Sequence, residues 1–176
     1  MCLDKFCEEE NVVIGKRYKD VLYEKIKMFG KDVVLVKPMT YMNESGKAVS
    51  FIRKSYDLEP GDFIIIYDDI DILMGEIKIK EKGSAGTHKG MKSVVNHLGT
   101  NEIPRIKIGV NNPDYKIGNI VKYVLTPLKG KNLEEFLFGV YKAKDALIEI
   151  MKNGLSNAMN KYNRRINLLA SDTEAE

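Results

Sequence analysis

Hydrophobic positions along this chain change period several times, and each change marks an element. Leu22, Ile26 and Met28 alternate roughly with Lys25 and Lys27. After Phe29-Gly30-Lys31-Asp32 comes the apolar run Val33-Val34-Leu35-Val36, and the two stretches predict a β-hairpin. Ala48, Val49, Ile52 and Tyr56 then recur at helical spacing, with Ser45 placed to cap that helix. A turn cluster, Leu58 to Asp62, leads into Phe63-Ile64-Ile65-Ile66-Tyr67. An unbroken apolar strand of this kind is expected to be buried on both faces, in the centre of a helix-covered sheet. Ile77 and Ile79 alternate with charges, which predicts a half-exposed strand, and Arg105 to Val110 predicts another alternating one. Between them Gly83-Ser84-Ala85-Gly86 reads as a flexible loop, with Thr87 placed to cap a helix running to about Leu98. From Lys131 onward Leu133, Phe136, Leu137, Val140, Leu147, Ile148 and Met151 fit one helical face, ended by Gly154. A shorter amphipathic piece follows through Met159 to about Arg165, and 171–176 is a polar tail. Strands and helices alternate, which predicts an α/β fold with a mixed sheet in a single domain, 1–170.

The opening differs from the other helical stretches. Met1, Leu3 and Phe6 have helical spacing, but no capping residue precedes them and Glu8, Glu9 and Glu10 crowd the end that a macrodipole disfavours for acids. The stretch reads as the middle and tail of a helix.

Composition narrows the class without naming a chemistry. The 176 residues suffice for one core, and 44% hydrophobic with 30% charged residues argues against disorder. A net charge of +3 means that contact with nucleic acid must come from a local patch. Cys2 and Cys7 have neither a disulfide-framework nor a metal-site spacing and fit a reducing compartment. No membrane-length apolar run and no signal-peptide pattern is present, so a cytoplasmic protein without membrane contact is expected.

Three stretches carry candidate chemistry. Lys37 to Ala48 joins a predicted strand to a predicted helix, where α/β folds place ligand contacts. Tyr41, Met42 and Asn43 offer a ring, a soft apolar surface and an amide that both donates and accepts, although a capped turn with a core methionine would need the same residues. Tyr67-Asp68-Asp69-Ile70-Asp71 is expected just beyond the C-terminal end of the central strand. Its three carboxylates can bind magnesium, serve as turn residues, or supply one group that orients a histidine base. Gly83 to Gly90 lacks the Gly-Lys-Ser/Thr closure of a phosphate loop, but it sets His88 on the first turn of a helix, where a neutral ring can hydrogen-bond or act as a base. His97, near the end of that helix, reads as a surface residue. Lys78, Lys80, Lys82, Lys89, Lys92 and Lys107 surround the same loop, and Lys161, Arg164 and Arg165 offer a second contact. Charge runs are commonly solvated faces, but gathered on one side these would suit a polyanion such as tRNA.

Pro38-Met-Thr-Tyr-Met-Asn-Glu-Ser-Gly-Lys-Ala-Val49 resembles the signature loop of bacterial-type peptidyl-tRNA hydrolases. Further blocks follow in the family's order. Tyr67 to Asp71 resembles its aspartate motif, Ala85 to Ser93 its glycine-rich histidine loop, Arg105 to Gly109 its late strand, and Asn157 to Asn163 its C-terminal helix. The resemblance spans nearly the whole chain. It implies a three-layer α/β/α fold and a monomeric enzyme that cleaves the ester between a peptide and the 3′ ribose of tRNA, recycling tRNA during translation without metal or cofactor. A histidine takes a proton from water, an aspartate orients the histidine, and amide donors steady the oxyanion. By position Asp68 is the orienting aspartate, and Tyr41, Met42 and Asn43 hold the tRNA end and the peptide. His88 belongs to the same wall, and Lys78 and Lys107 match places where the family meets phosphates.

Two departures qualify what the resemblance implies. The family opens with a strand, a Gly-Asn-Pro-Gly loop and a Thr-Arg-His-Asn segment carrying the histidine base, whereas this sequence starts inside the helix that follows. The expectation is a chain without that base, impaired in hydrolysis and with an exposed sheet edge. Lys89 also stands where the family carries a substrate-contacting asparagine, and a lysine cannot accept a hydrogen bond, so that contact is lost or becomes a charge on phosphate. The alternative readings are a non-catalytic tRNA- or RNA-binding relative and a magnesium-dependent phosphotransferase using Asp68, Asp69 and Asp71.

Overall fold

The structure, a computed structural model, describes residues 1–114, 118 and 120–164. The expected tail at 171–176 and Arg165 lie outside the described residues. The chain opens with α1 (Cys2–Glu9), β1 (Lys16–Tyr18), β2 (Val21–Met28), β3 (Lys31–Pro38) and α2 (Ser45–Tyr56). It continues through β4 (Ile65–Leu73), β5 (Ile77–Lys80), α3 (Lys89–Leu98) and β6 (Arg105–Asn111). Helices α4 (Ile120–Leu125), α5 (Gly130–Asn153) and α6 (Leu155–Tyr162) close the order.

The strands form two three-stranded sheets, ordered β1-β2-β3 and β4-β6-β5. β2 and β3 make the expected hairpin, in register from Val21 opposite Pro38 to Met28 opposite Lys31. Phe29 and Gly30 turn it with φ of 50° and 74°, the left-handed pair that a tight two-residue turn requires. In the second sheet β6 runs parallel to β4 and antiparallel to β5.

Alternate residues of β3 and β4 divide between two apolar clusters, which makes the architecture three-layered. Val33, Leu35, Ile64 and Ile66 join Phe6 of α1 with Val140, Ala143 and Leu147 of α5 and Ala158 of α6. Val34, Val36, Ile65 and Tyr67 join Ala48, Val49 and Ile52 of α2 with Met91, Val94 and Leu98 of α3. Helices therefore cover both faces, as an α/β fold with a mixed sheet demands.

Several sequence expectations change. The place of the central strand is taken by β6, not by Phe63 to Tyr67. β6 is paired on both sides and buried at Arg105, Ile106, Ile108, Gly109 and Val110, whereas Ile64, Ile65 and Ile66 are only half-buried. The polar positions that made β6 look half-exposed are a buried arginine and Lys107, which is held by an ion pair. Ser45 does not cap α2 but is its first residue, and its hydroxyl donates to the Met42 carbonyl at 2.9 Å. Thr87 does not cap α3, because His88 occupies the cap position itself. The opening helix is present, with Cys2 and Phe6 buried and Asp4 paired with Lys37 of β3.

Candidate functional site

The site is assembled at the start of α3. His88 sits at the N-cap with extended backbone, and its Nδ1 accepts the Met91 N–H at 3.0 Å, satisfying one of the free amides of the first turn. A nitrogen that accepts an N–H carries no proton, so the neutral ring holds its hydrogen on Nε2. That Nε2 faces Oδ1 of Asp68 at 3.5 Å, and the ring lies tilted on Tyr67 with centroids 4.7 Å apart. The His88 N–H beside Asp68 holds its carboxyl below the usual carboxylate range, against the opposing effect of burial.

Asp68 is not beyond the strand end, as expected from the apolar run, but inside β4. The ladder with β6 continues through Asp69 opposite Gly109 before a bulge shifts the register. The bulged segment crosses so closely over Gly109 that a Cβ there would lie 1.9 Å from the Leu73 carbonyl oxygen, so only glycine fits. Hydrophobicity ended the predicted strand too early, because the ladder is a backbone property that does not require apolar side chains.

The three carboxylates diverge. Asp68 meets His88, and Asp69 receives Lys107 Nζ at 2.6 Å and the Asp71 N–H at 2.9 Å, while Asp71 is exposed. Among the described residues no group of three metal-ligating side chains is gathered, so the magnesium alternative has no ligand set there.

The loop after β3 meets this pair from above. A Cβ on Gly90 would lie 2.6 Å from Met42 Sδ and 3.0 Å from His88 Cε1, so Met42 packs over the α3 start beside the histidine. One helical turn of α2 fixes the approach, because the Gly46 N–H donates to Ser93 Oγ at 3.1 Å where α2 crosses α3. Met42, Tyr41 and Asn43 are nonetheless exposed, Tyr41 to 82%. They form an apolar and amide-bearing rim open to a ligand. Two concavities elsewhere, about 240 Å³ near Arg53 and His97 and about 650 Å³ near Lys82 and Leu155, share no residue with it.

The predicted lysines separate into two kinds. Lys107 lies in one cross-strand row with Tyr67 and Lys78, but its ammonium is committed to Asp69. Its pKa is raised by that hydrogen bond, against the burial that would lower it. Lys78, Lys80, Lys89 and Lys92 have no ion pair among the described residues. Lys82 is paired with Glu102 and Lys161 with Glu149, which draws both away from a free cationic patch.

Arg105 was legible only as part of a strand motif. It is fully buried and its guanidinium donates to three carbonyls, Ile103 at 3.0 Å, Ser84 at 3.1 Å and Asn101 at 3.0 Å. It anchors the glycine-rich loop that delivers His88, and an arginine in an otherwise apolar strand was the available signal.

Comparison with known proteins identifies the family. The family model described as peptidyl-tRNA hydrolase matches residues 1–169. The peptidyl-tRNA hydrolase of Alkaliphilus oremlandii is 37% identical over 161 residues, covering 92% of this chain and 86% of the relative. That of Pediococcus pentosaceus is 37% identical over 164 residues, covering 93% and 88%. The crystal structure of peptidyl-tRNA hydrolase from Acinetobacter baumannii superposes with a TM-score of 0.82 at 27% identity, covering 92% of this chain and 82% of that one. This chain belongs to the peptidyl-tRNA hydrolase family.

Proposed function

We propose that this chain binds peptidyl-tRNA and serves its hydrolysis, the cleavage of the ester between the peptide and the 3′ ribose, with Asp68 as the group that orients the base. The convergence of Asp68, His88 and Met42 at the start of α3, in a member of this family, carries the reading. Asp68 has the character the role needs. It is ionised well into the acid range, and one of its oxygens is not used by His88. The exposed Tyr41, Met42 and Asn43 are suited to hold the tRNA end and the first residues of the peptide. Lys78 and Lys89, without ion pairs, are suited to phosphates, and Lys89 favours the charge contact over the amide contact.

His88 is not the base in this reading. One ring nitrogen is occupied by the Met91 N–H and the other points its proton at Asp68, so no lone pair is offered to water. The base is instead the histidine that the family resemblance places in an opening segment, held by the Asp68 carboxylate. We read the protein as cytoplasmic and monomeric, as the family resemblance implies; separately, among the described residues no helix is long and apolar enough to cross a membrane.

Peptide release from a purified peptidyl-tRNA tests this, comparing the chain of this sequence with one joined to the family's opening segment. The expected result is tRNA binding by both and fast release only by the joined protein. Equal release by both, abolished by His88→Ala, would overturn the assignment of the base. Binding of tRNA by both with release by neither would favour the non-catalytic RNA-binding alternative.

A further inference from the structure

We propose that Asn163 is a positioning residue for phosphate binding, its side-chain amide fixing the segment of β5 that carries Lys78 and Lys80. The role rests on the reading of this chain as a tRNA-binding protein, and it concerns what holds two of the cations in place.

β5 is a weak element by itself. It has four residues, Ile77–Lys80, and among the described residues it pairs only with β6. Alternation divides its side chains between two faces. Ile77 and Ile79 enter the apolar cluster shared with α5 and α6. Lys78 and Lys80 therefore stand together on the opposite face, two residues or roughly 7 Å of strand apart. Neither lysine has an ion pair among the described residues, so each repels the other across a short, open edge. Such an edge frays unless its outward backbone groups are held.

Asn163 holds them. Its Oδ1 accepts the Ile79 N–H at 2.8 Å, and its Nδ2 donates to the Ile79 carbonyl at 2.9 Å. In an antiparallel pair, residues alternately turn their backbone groups toward the partner strand and away from it. Ile79 is thus the outward residue, and Lys78 and Lys80 on either side turn theirs toward β6, opposite Lys107 and Arg105. A side-chain amide offers an acceptor and a donor side by side, as a neighbouring strand does. Asn163 supplies the two bonds that a further strand would make at this residue.

The amide is itself anchored from behind. Asn163 is the C-cap of α6, with its N–H donating to the Met159 carbonyl at 3.0 Å. α6 is fastened to α5 by the Lys161–Glu149 ion pair at 2.9 Å and by the Asn157 amide, which donates to the Asn153 carbonyl at 2.8 Å. Ala158 of α6 is fully buried. The long helix, the short helix and the amide form one link that ends on the residue between the two lysines. Cations on a strand already ordered meet phosphates without the entropic cost of ordering the strand on binding.

Affinity for uncharged tRNA, measured on the full chain across a salt series, tests the link. Asn163→Leu keeps the approximate size of the side chain and loses both bonds. It should lower the slope of log affinity against log salt by about one to two units. In that background Lys78→Gln combined with Lys80→Gln should cost less than about half, on a logarithmic scale, of what it costs in the wild-type chain. Asn163→Ser, a milder loss, takes its place in the same cycle should urea titration show the leucine variant unfolded. An unchanged slope, with the lysine effect fully retained, would overturn the positioning role and leave Asn163 a clamp for stability alone. No effect of the lysine changes in the wild-type chain would overturn the phosphate reading of β5 and the role of Asn163 with it, a pattern distinct from the first.

Discussion

Helix α3 carries a histidine at each end, and the helix gives the two rings opposite roles. At its start the backbone offers unpaired N–H groups, so Nδ1 of His88 accepts from Met91 and the ring proton sits on Nε2, aimed at Asp68. At its end the backbone offers carbonyls, so Nδ1 of His97 donates to Ser93 at 2.9 Å and the lone pair is left on Nε2. The ring beside the carboxylate is thus the one without a free lone pair, and the ring with one has no carboxylate beside it among the described residues. Proximity of a histidine to an aspartate does not make a base, because tautomer decides and secondary structure decides the tautomer.

The largest expected effect breaks this comparison at Asp68. In the protein joined to the family's opening segment, Asp68→Asn should slow peptide release by about 10³-fold or more, since an amide can neither hold the base's N–H as an anion nor stabilise the cation it becomes. His88→Ala should cost far less, about tenfold, and His97→Ala nothing measurable in release. A loss for His88→Ala as large as for Asp68→Asn would make His88 the base and end the distinction between the two rings.

Stability ranks the same residues differently. Arg105→Ala should lower unfolding free energy by on the order of 3 kcal/mol, because three carbonyls lose a charged donor in a buried place. His88→Ala, which removes a cap, should cost about 1 kcal/mol, and exposed His97→Ala less than about 0.5 kcal/mol. Urea titrations of the three variants would order them.

Acid provides a finer test. The Asp68 pKa is depressed in the folded state, so its contribution is fully present above the unfolded carboxylate pKa of about 3.9 and is lost as pH falls through the lower folded value. The stability gap between wild type and Asp68→Asn should therefore hold constant above about pH 5 and shrink below about pH 4.

Most elements were legible from periodicity, because hairpin and helix patterns follow directly from which face is buried. The α5–α6 boundary at Gly154, the hairpin at Phe29-Gly30 and the α2 span all follow that rule. What was not legible depended on partners distant in sequence. Asp68 and Asp69 looked like loop residues because their ladder partners, Ile108 and Gly109, lie on β6, forty residues on. Arg105 and Lys107 read only as the polar positions of an alternating strand because their polar partners, the Ser84 and Asn101 carbonyls and Asp69, come from other segments. The cap at His88 was missed because a threonine is the stronger generic capping residue and precedes it.

Two lysines extend the lesson of the histidines to charge. Lys78 and Lys107 are cross-strand neighbours on one face, yet Lys107 is tied to Asp69 and Lys78 is not. Residue type alone predicts two equal phosphate contacts, whereas the pairing predicts one. Lys78→Gln should weaken tRNA binding and lower the slope of log affinity against log salt by about one unit. Lys107→Gln should leave the slope unchanged and instead destabilise the fold, because it strands the Asp69 carboxylate, only 10% exposed. Equal slope changes for the two would mean that Lys107 leaves Asp69 when tRNA arrives, and its ion pair would then be a holding position for the free protein.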